Sequence, residues 1–164
     1  MYLLPTTSVI KELYLRLCNV TANKELMPSN QAQDQPLAGV RILFVEDVPE
    51  LKETISEFLV ELGAEVIAVS LAKQGLEAIE RTKFDLLLSN LSLPEEDGYW
   101  LISQIRVREN KLAQVLTPAI ALTAAASEAD RARALAAGFQ QHVTKPFRMD
   151  ELSAQIVRLV KPNQ

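Results

Sequence analysis

The chain has 164 residues, of which 48% are hydrophobic and 23% charged, so its composition is that of one globular domain with a modest extension. A formal net charge of -4 excludes a general attraction for nucleic-acid backbones or anionic lipid, and one cysteine excludes an internal disulfide. No run approaches about 18 apolar residues and no secretion signal is recognisable, so we expect a cytoplasmic protein that contacts neither nucleic acid nor membrane.

The first predicted element is an amphipathic helix from Thr6 to Val20. Val9, Leu13, Leu17 and Val20 follow one another at spacings of four, four and three residues, which places them on one helical stripe. The polar side is not enriched in lysine or arginine, so packing on the chain's own domain or on a second copy is favoured over a membrane surface. A homodimer through Leu13 and Leu17 and a helix that covers part of the domain both stay open.

A polar tract from Met27 to Pro36 (MPSNQAQDQP) follows this helix. It is bounded by prolines and has no hydrophobic periodicity, which is typical of a linker. We therefore predict a boundary near Leu37. Residues 1–38 form the N-terminal helix and linker, and residues 39–164 form the main domain.

Beyond this boundary, short apolar runs with strand character alternate with stretches of helical periodicity. Strands are predicted at Ile42–Val45, Val66–Val69, Asp85–Ser89, Pro118–Leu122 and Gln141–Thr144. Helices are predicted at Pro49–Leu62, Ala72–Arg81, Tyr99–Arg108, Glu128–Ala137 and Asp150–Val160, with Gly63, Ser127 and Gly138 as caps. This alternation predicts an α/β domain whose parallel sheet is covered on both faces, but it does not give the strand order.

Polar motifs follow the ends of four of these strands. They are Glu46 and Asp47 after the first, Asn90 after the third, Thr123 and Ala124 after the fourth, and Lys145 and Pro146 after the fifth. Each motif alone is typical of an ordinary turn, cap or solvated surface residue. Because the carboxyl ends of parallel strands meet at one edge, where ligands usually bind, all four together indicate a common site.

The most specific stretch is FDLLLSNLSLPEEDGYW, from Phe84 to Trp100. Together with AGVRILFVEDV and AGFQQHVTKPF, it resembles the receiver domains of response regulators, whose motif is DLxLxDxxxPxxDG. The resemblance covers Val40 to about Lys161. It implies a CheY-like, flavodoxin-like (βα)5 three-layer fold with a five-stranded parallel sheet of order 2-1-3-4-5. It also implies a role in bacterial two-component, phosphorelay signal transduction.

The resemblance also assigns a metal site and an acceptor. Glu46 and Asp47 would hold Mg²⁺, mostly through water for the first and directly for the second. The residue at position 90 would contribute to the same metal site, as would the backbone carbonyl of Ser92. Asn90 stands at the phosphoacceptor position.

The remaining roles concern transfer and switching. Lys145 would supply a fixed positive charge and Thr123 a hydroxyl donor to the transferred group, which carries negative charge on its oxygens. Ala124 would leave room for the phosphodonor, and the Lys145-Pro146 bond would be cis. These residues, with His142, are expected to form the switch and partner surface.

Two positions depart from the family pattern. Asn90 replaces the aspartate that accepts the phosphoryl group, and His142 replaces the Tyr or Phe that reports phosphorylation. A carboxamide has no negative charge and little nucleophilicity, so we predict no acyl phosphate and weakened Mg²⁺ binding. A unit charge pair at roughly 4 Å is worth about 4 kcal/mol at an effective dielectric of about 20. The prediction is a pseudo-receiver that acts as a protein-interaction module and is not an enzyme. His142 is interpreted as a half-buried polar residue in preference to a pH-sensitive switch.

Three alternatives stay open. Asn90 is an engineered change in an ordinary phosphoaccepting receiver of a response regulator or hybrid histidine kinase. A neighbouring hydroxyl such as Ser89 takes the phosphoryl group, which would miss the metal geometry. The chain is a Mg²⁺-dependent haloacid-dehalogenase-like phosphatase, although that class needs Asp-x-Asp after the first strand and this chain has Glu46-Asp47-Val48.

The expected partners are a histidine kinase, a phosphotransfer protein or another signalling protein. We expect them to contact the face made by the fourth helix, the fifth strand and the fifth helix, around Ala132, His142 and Met149. Whether the chain acts alone or belongs to a hybrid kinase also stays open.

Overall fold

The computed structural model describes residues 35–161. The helix predicted at Thr6–Val20 and most of the predicted linker lie outside the described residues. No helix within 35–161 is long and apolar enough to cross a membrane.

Strands and helices alternate throughout the described part of the chain. The strands are β1 (Arg41–Val45), β2 (Glu65–Val69), β3 (Leu86–Asn90), β4 (Ala119–Thr123) and β5 (Gln141–Thr144). The helices are α1 (Pro49–Glu61), α2 (Ala72–Arg81), α3 (Gly98–Lys111), α4 (Glu128–Ala137) and α5 (Met149–Val160). All strand pairs are parallel and their order is β2-β1-β3-β4-β5. The expected flavodoxin-like fold is confirmed.

Two hydrophobic layers lie on opposite faces of the sheet, because successive side chains of a strand point to opposite faces. On β1, Ile42 and Phe44 pack with α1 and α5, whereas Leu43 and Val45 pack with the α2 and α3 side. Strands β3 and β4 are buried along their whole length. Each large apolar side chain removed from water stabilises the fold by about 1.5–3 kcal/mol.

Local side chains cap the starts of α3 and α4. Asp97 begins α3, because its side chain accepts a hydrogen bond from the Trp100 N–H at 2.7 Å. Ser127 and Asp130 form a reciprocal capping box at the start of α4, and Gly138 ends that helix with a φ of 118°. The predicted caps of α4 are therefore confirmed.

Gly98 brings the start of α3 against the end of β3. Its N–H donates to the Leu91 carbonyl at 3.0 Å. A Cβ atom at this position would lie 2.5 Å from the Asn90 carbonyl oxygen and 2.9 Å from the Leu91 Cα. Glycine is therefore required at this close approach of two backbone segments.

A buried ion pair holds the other end of α3. Arg106 Nη1 lies 2.6 Å from Oε2 of Glu109, whose Oε1 accepts from the Thr117 N–H at 2.7 Å. The same guanidinium donates to the Gly138 carbonyl through Nε at 3.0 Å and Nη2 at 2.7 Å. These bonds fix the end of α3 to the segment before β4 and to the turn between α4 and β5.

Candidate functional site

The predicted polar residues come together at the carboxyl edge of the sheet. Glu46 and Asp47 directly follow β1, Asn90 is the last residue of β3, Thr123 is the last of β4, and Lys145 directly follows β5. Because these strands are parallel neighbours, their ends open on one side. The expected clustering at one edge is therefore what the sheet order produces.

Glu46 is the fully buried centre of this cluster. Its Oε2 accepts from Lys145 Nζ at 2.7 Å, and its Oε1 accepts from the Val48 N–H at 3.2 Å. A buried carboxylate is stable only when it is paired and hydrogen-bonded, and the mostly buried Lys145 supplies the opposite charge. The pair links the segment after β1 to the segment after β5.

The side chain of Asn90 fills the space between the acidic residues. Its Nδ2 group donates to Oε1 of Glu46 at 3.1 Å and to Oδ1 of Asp47 at 3.0 Å. It also faces the Ser92 carbonyl oxygen at 3.1 Å. An amide nitrogen has two hydrogens, so three acceptors share two donors. The three oxygens that the resemblance assigns to a metal are thus the acceptors of one amide.

The orientation of this amide is set from the backbone. The Ser92 N–H donates to Oδ1 of Asn90 at 3.1 Å. If the amide were turned over, its NH₂ group would meet that N–H, and its oxygen would meet two carboxylates. The hydrogen-bond network therefore favours Nδ2 toward the acids.

The donor set for Mg²⁺ is present, and its oxygens face the amide of Asn90. Mg²⁺ requires oxygen ligands at about 2.0–2.1 Å in an octahedral arrangement. The oxygens of Glu46, Asp47 and Ser92 have the right chemistry, yet they converge on amide hydrogens. Within residues 35–161 no group of three or more His, Cys, Asp or Glu side chains is arranged to hold a metal. A cation at this position would have to displace the Asn90 amide.

Thr123 and its neighbours form the rim of the site. The buried Thr123 hydroxyl accepts from the Ala125 N–H at 3.1 Å, and its carbonyl accepts from the Lys145 N–H at 2.7 Å. Ala124 and Pro146 are exposed. The Lys145-Pro146 peptide bond is cis, as the resemblance implied.

The residues expected on the partner face are not all exposed. Ala132 is exposed on α4, and His142 is half-buried on β5 opposite Ala121, with no hydrogen-bond partner for Nε2 among the described residues. Met149 is 8% exposed and packs in the core layer of α1 and α5. The expectation that Met149 lies on this face is wrong, because the residue is the first of α5 and turns inward with Leu152.

Residues 42–157 match the family described as the response regulator receiver domain. The chain belongs to this family. Over 127 residues the receiver domain is 42% identical to an uncharacterized 14.6 kDa protein of Leptolyngbya boryana, covering 77% of this chain and 92% of that protein. Over 139 residues it is 36% identical to hybrid signal transduction histidine kinase D of Dictyostelium discoideum, covering 82% of this chain but 9% of the kinase.

A solved structure supports the same assignment. The receiver domain of sensor histidine kinase PA1611 from Pseudomonas aeruginosa is 37% identical, with a TM-score of 0.67, and the match covers 75% of this chain and 98% of that one. That receiver domain was solved with a magnesium ion coordinated in its active-site cleft. The present chain is therefore a receiver domain of two-component signalling, a family of signalling modules that interact with histidine kinases and phosphotransfer proteins.

Proposed function

We propose that this receiver domain is a pseudo-receiver, a protein-interaction module that does not accept a phosphoryl group. The observation that supports the proposal is the Asn90 amide at the end of β3, held by Glu46, Asp47 and both backbone groups of Ser92. In this proposal Asn90 stands at the acceptor position of the family.

The chemistry of acceptance requires a carboxylate. One of its oxygens attacks phosphorus, the bond from phosphorus to the donor breaks, and the new acyl phosphate is a mixed anhydride. The Asn90 side chain is neutral, and its Oδ1 already accepts the Ser92 N–H. It therefore lacks the negative charge that attack requires, and one of the two lone pairs of its oxygen is already engaged.

Mg²⁺ binding is weakened in this proposal. One oxygen of Glu46 and one of Asp47 already face the amide nitrogen of Asn90, and the other oxygen of Glu46 accepts from the Lys145 ammonium. A metal would have to break these bonds before it gained its own. We therefore expect a much lower affinity than in a variant with aspartate at position 90.

A neighbouring acceptor is disfavoured by burial. The Ser89 hydroxyl is fully buried and donates to the Asn90 carbonyl at 2.9 Å. It is neither free nor facing the acidic cluster. Ser89 therefore offers no substitute nucleophile in its described arrangement.

A second candidate is an ordinary phosphoaccepting receiver in which Asn90 is an engineered change. Its support is that Glu46, Asp47, Thr123 and Lys145 all converge on the same edge of the sheet. A phosphatase is less well supported, since Glu46-Asp47 does not match the Asp-x-Asp requirement. In both receiver proposals the chain is not an enzyme.

We further assign residues 1–38 to an extension and residues 39–164 to the receiver domain. The partners in this proposal are a histidine kinase, a phosphotransfer protein or another signalling protein. They would contact α4, β5 and α5, where Ala132 and His142 lie, with the rim residues Ala124 and Pro146 beside them. Thr123 and Lys145 connect that rim to the pocket.

The test is intact-mass analysis after incubation with Mg²⁺ and a small acyl-phosphate donor. Wild type, Asn90→Asp and Asn90→Asp with Lys145→Met are compared. A phosphoryl adduct on Asn90→Asp alone supports a pocket built for transfer and silenced by one amide. An adduct on wild type would contradict the proposal. An adduct on none of the three would support an interaction module whose pocket has lost transfer altogether.

A further inference from the structure

Exposed hydrophobic side chains are concentrated at the end of α3 and in the segment that leads to β4. Eight large hydrophobic residues are exposed between residues 35 and 161, and four of them fall within residues 107–116. These four, here called the α3–β4 patch, are Val107, Leu112, Val115 and Leu116. Single exposed apolar residues are normal, but a cluster marks a surface that another element covers. Val115 is 94% exposed and Val107 64%.

The patch lies in a concave part of the surface. A depression of about 930 Å³ includes Val115 and Leu116, and an adjoining one of about 610 Å³ includes Val107 and Leu116. Ala113 and Gln114 line both depressions. The two therefore form one continuous groove. The Arg106–Glu109 ion pair and the bond from Thr117 to Glu109 hold the end of α3 beside it.

The chain itself enters the domain at this groove. Ala38, Gly39 and Val40 line the larger depression, directly before β1. The Leu37 N–H donates to the Leu62 carbonyl at 3.0 Å, which fixes this point of the chain. Residues 1–34 are therefore joined to the domain beside the end of α1, three residues before the chain reaches the larger depression.

These residues carry a complementary surface in their sequence. The helix predicted at Thr6–Val20 has an apolar stripe through Leu13 and Leu17 that needs a partner. Residues 21–34 connect it to the domain, and a random-coil chain of 14 residues would have a mean span of roughly 20 Å. This span is comparable with the size of the domain, and a tether of this kind gives a local concentration on the order of millimolar. The helix can thus reach the groove without help from a second molecule.

We infer that the N-terminal helix Thr6–Val20 packs on the α3–β4 patch of its own chain. Its Leu13 stripe covers Val107, Val115 and Leu116. The patch lies at the amino edge of the sheet, where β1 and β4 begin, whereas Asn90 lies at the carboxyl edge. The inference is therefore independent of the proposed function, and a failure of either leaves the other standing.

Cys18 permits a direct test, because it is the chain's single cysteine. At 3.6 residues per turn Cys18 lies on the side of the predicted helix away from Leu13, so a nitroxide label there leaves the stripe intact. Amide signal intensities of the full-length ¹⁵N-labelled chain are compared with the nitroxide in its paramagnetic form and after its reduction to the diamagnetic form. We expect the amide signals of Val107, Val115 and Leu116 to lose several-fold more intensity than that of Val60.

Val60 is the matched internal control. It is 54% exposed, lies on α1 two residues before Leu62, and lines neither depression. An undocked tether that starts at Leu37 would reach Val60 at least as often as Val115. Equal broadening of the two amides would overturn the inference.

Two further samples complete the experiment. Leu13→Asp in the labelled chain should restore the signals of Val115 and Leu116, and an unchanged pattern would overturn the inference. In the second sample, chains of natural isotopic abundance that carry the nitroxide are mixed with ¹⁵N-labelled chains that carry no nitroxide. Broadening of the Val115 amide in this mixture would assign the patch to a second copy of the chain and would overturn packing within one chain. Absence of broadening in this mixture would support packing within one chain.

Discussion

The Nδ2 atom of Asn90 lies 3.0 Å from Oδ1 of Asp47, so an amide hydrogen faces this carboxylate. The same nitrogen lies 3.1 Å from Oε1 of Glu46. Counted formally, Glu46, Asp47 and Lys145 leave one net negative charge, and aspartate at position 90 would leave two. The neutral amide thus keeps the net charge of the pocket one unit less negative than an aspartate would.

Asn90→Asp should make the stability of the domain depend on metal. Without divalent ions, we expect the free energy of unfolding to fall by about 1–3 kcal/mol, because hydrogen bonds to carboxylates are replaced by repulsion between them. Mg²⁺ should then restore stability in the variant, since a ligand that binds only the folded state stabilises it. Thermal unfolding of wild type should be nearly the same with and without Mg²⁺.

The control for this experiment is Asn110→Asp, the same chemical change at an exposed position of α3. It should show no response to Mg²⁺. Equal stabilisation of wild type and Asn90→Asp by the metal would show that the amide does not obstruct its binding.

Lys145→Met should be strongly destabilising. The change leaves the buried Glu46 carboxylate without the ammonium that lies 2.7 Å from its Oε2. Breaking one side of a buried ion pair costs about 3–5 kcal/mol. Adding Glu46→Gln should recover part of the loss, which chemical denaturation of the single and double variants can measure.

The comparison for Lys145→Met is Arg148→Met, which removes a cation from the exposed pair with Asp150. Because both of these side chains are solvated, we expect little change in the unfolding midpoint. A similar loss in the two variants would argue that burial of Glu46 does not govern the effect.

Gly98→Ala should destabilise the turn between β3 and α3. The new methyl group would meet the Asn90 carbonyl oxygen at 2.5 Å and the Leu91 Cα at 2.9 Å, and neither backbone atom can move freely. We expect a loss of about 1–3 kcal/mol in the free energy of unfolding.

Gly75→Ala is the reference substitution, measured in the same denaturant series. Gly75 is also buried in a helix, but a Cβ there would approach only side-chain atoms of Val45 and Leu101, at 3.1 and 3.3 Å. Alanine also has the higher helix propensity. A smaller loss is expected, and a loss as large as that of Gly98→Ala would contradict the backbone explanation.

The carboxyl group of Asp150 should respond to removal of Arg148. The hydrogen bond from the Arg148 guanidinium lowers the pKa of Asp150 below its ordinary value. A carboxyl whose pKa is lowered on folding stabilises the fold above its unfolded pKa, and that contribution is lost as pH falls through the folded pKa. Arg148→Met should therefore raise the pKa of Asp150, which a carboxyl NMR titration measures. Arg158→Met, which removes a cation from the last turn of α5, should leave it unchanged.

The fold was largely predictable because each element has its own hydrophobic period. The predicted bounds of β5, α2 and α4 agree with the structure. The ends of other elements differ from the predicted ends by a few residues, because contacts with neighbouring elements decide where each one begins or ends. Asp85 was expected inside β3, but its carboxylate instead accepts the Arg41 N–H at 2.8 Å, and the strand begins at Leu86.

The clustering of these polar residues at one edge of the sheet was predictable, but the hydrogen bonds among them were not. Strand-end positions and parallel order bring Glu46, Asn90 and Lys145 together. The direction of the Asn90 amide depends on a backbone N–H of Ser92, which no side-chain pattern reveals.

Glu109 was missed for a related reason. A glutamate followed by Asn and Lys in a helix predicts a solvated face, yet this one is buried against Arg106. Only the fold brings the Thr117 N–H and the Gly138 carbonyl to that pair. Conversely, Val107 is an apolar residue within the helix predicted at Tyr99–Arg108, yet it lies on the surface.

The Asn90 amide has a consequence for signalling if the proposed function holds. A site that is completed by its own side chain would gain and lose no phosphoryl group, so its state would carry no memory of a past stimulus. The extent of partner binding would then depend on the concentration of the chain relative to the dissociation constant of its complex with the partner. Synthesis and degradation, rather than the lifetime of an acyl phosphate, would then set how strong the output is and how long it lasts.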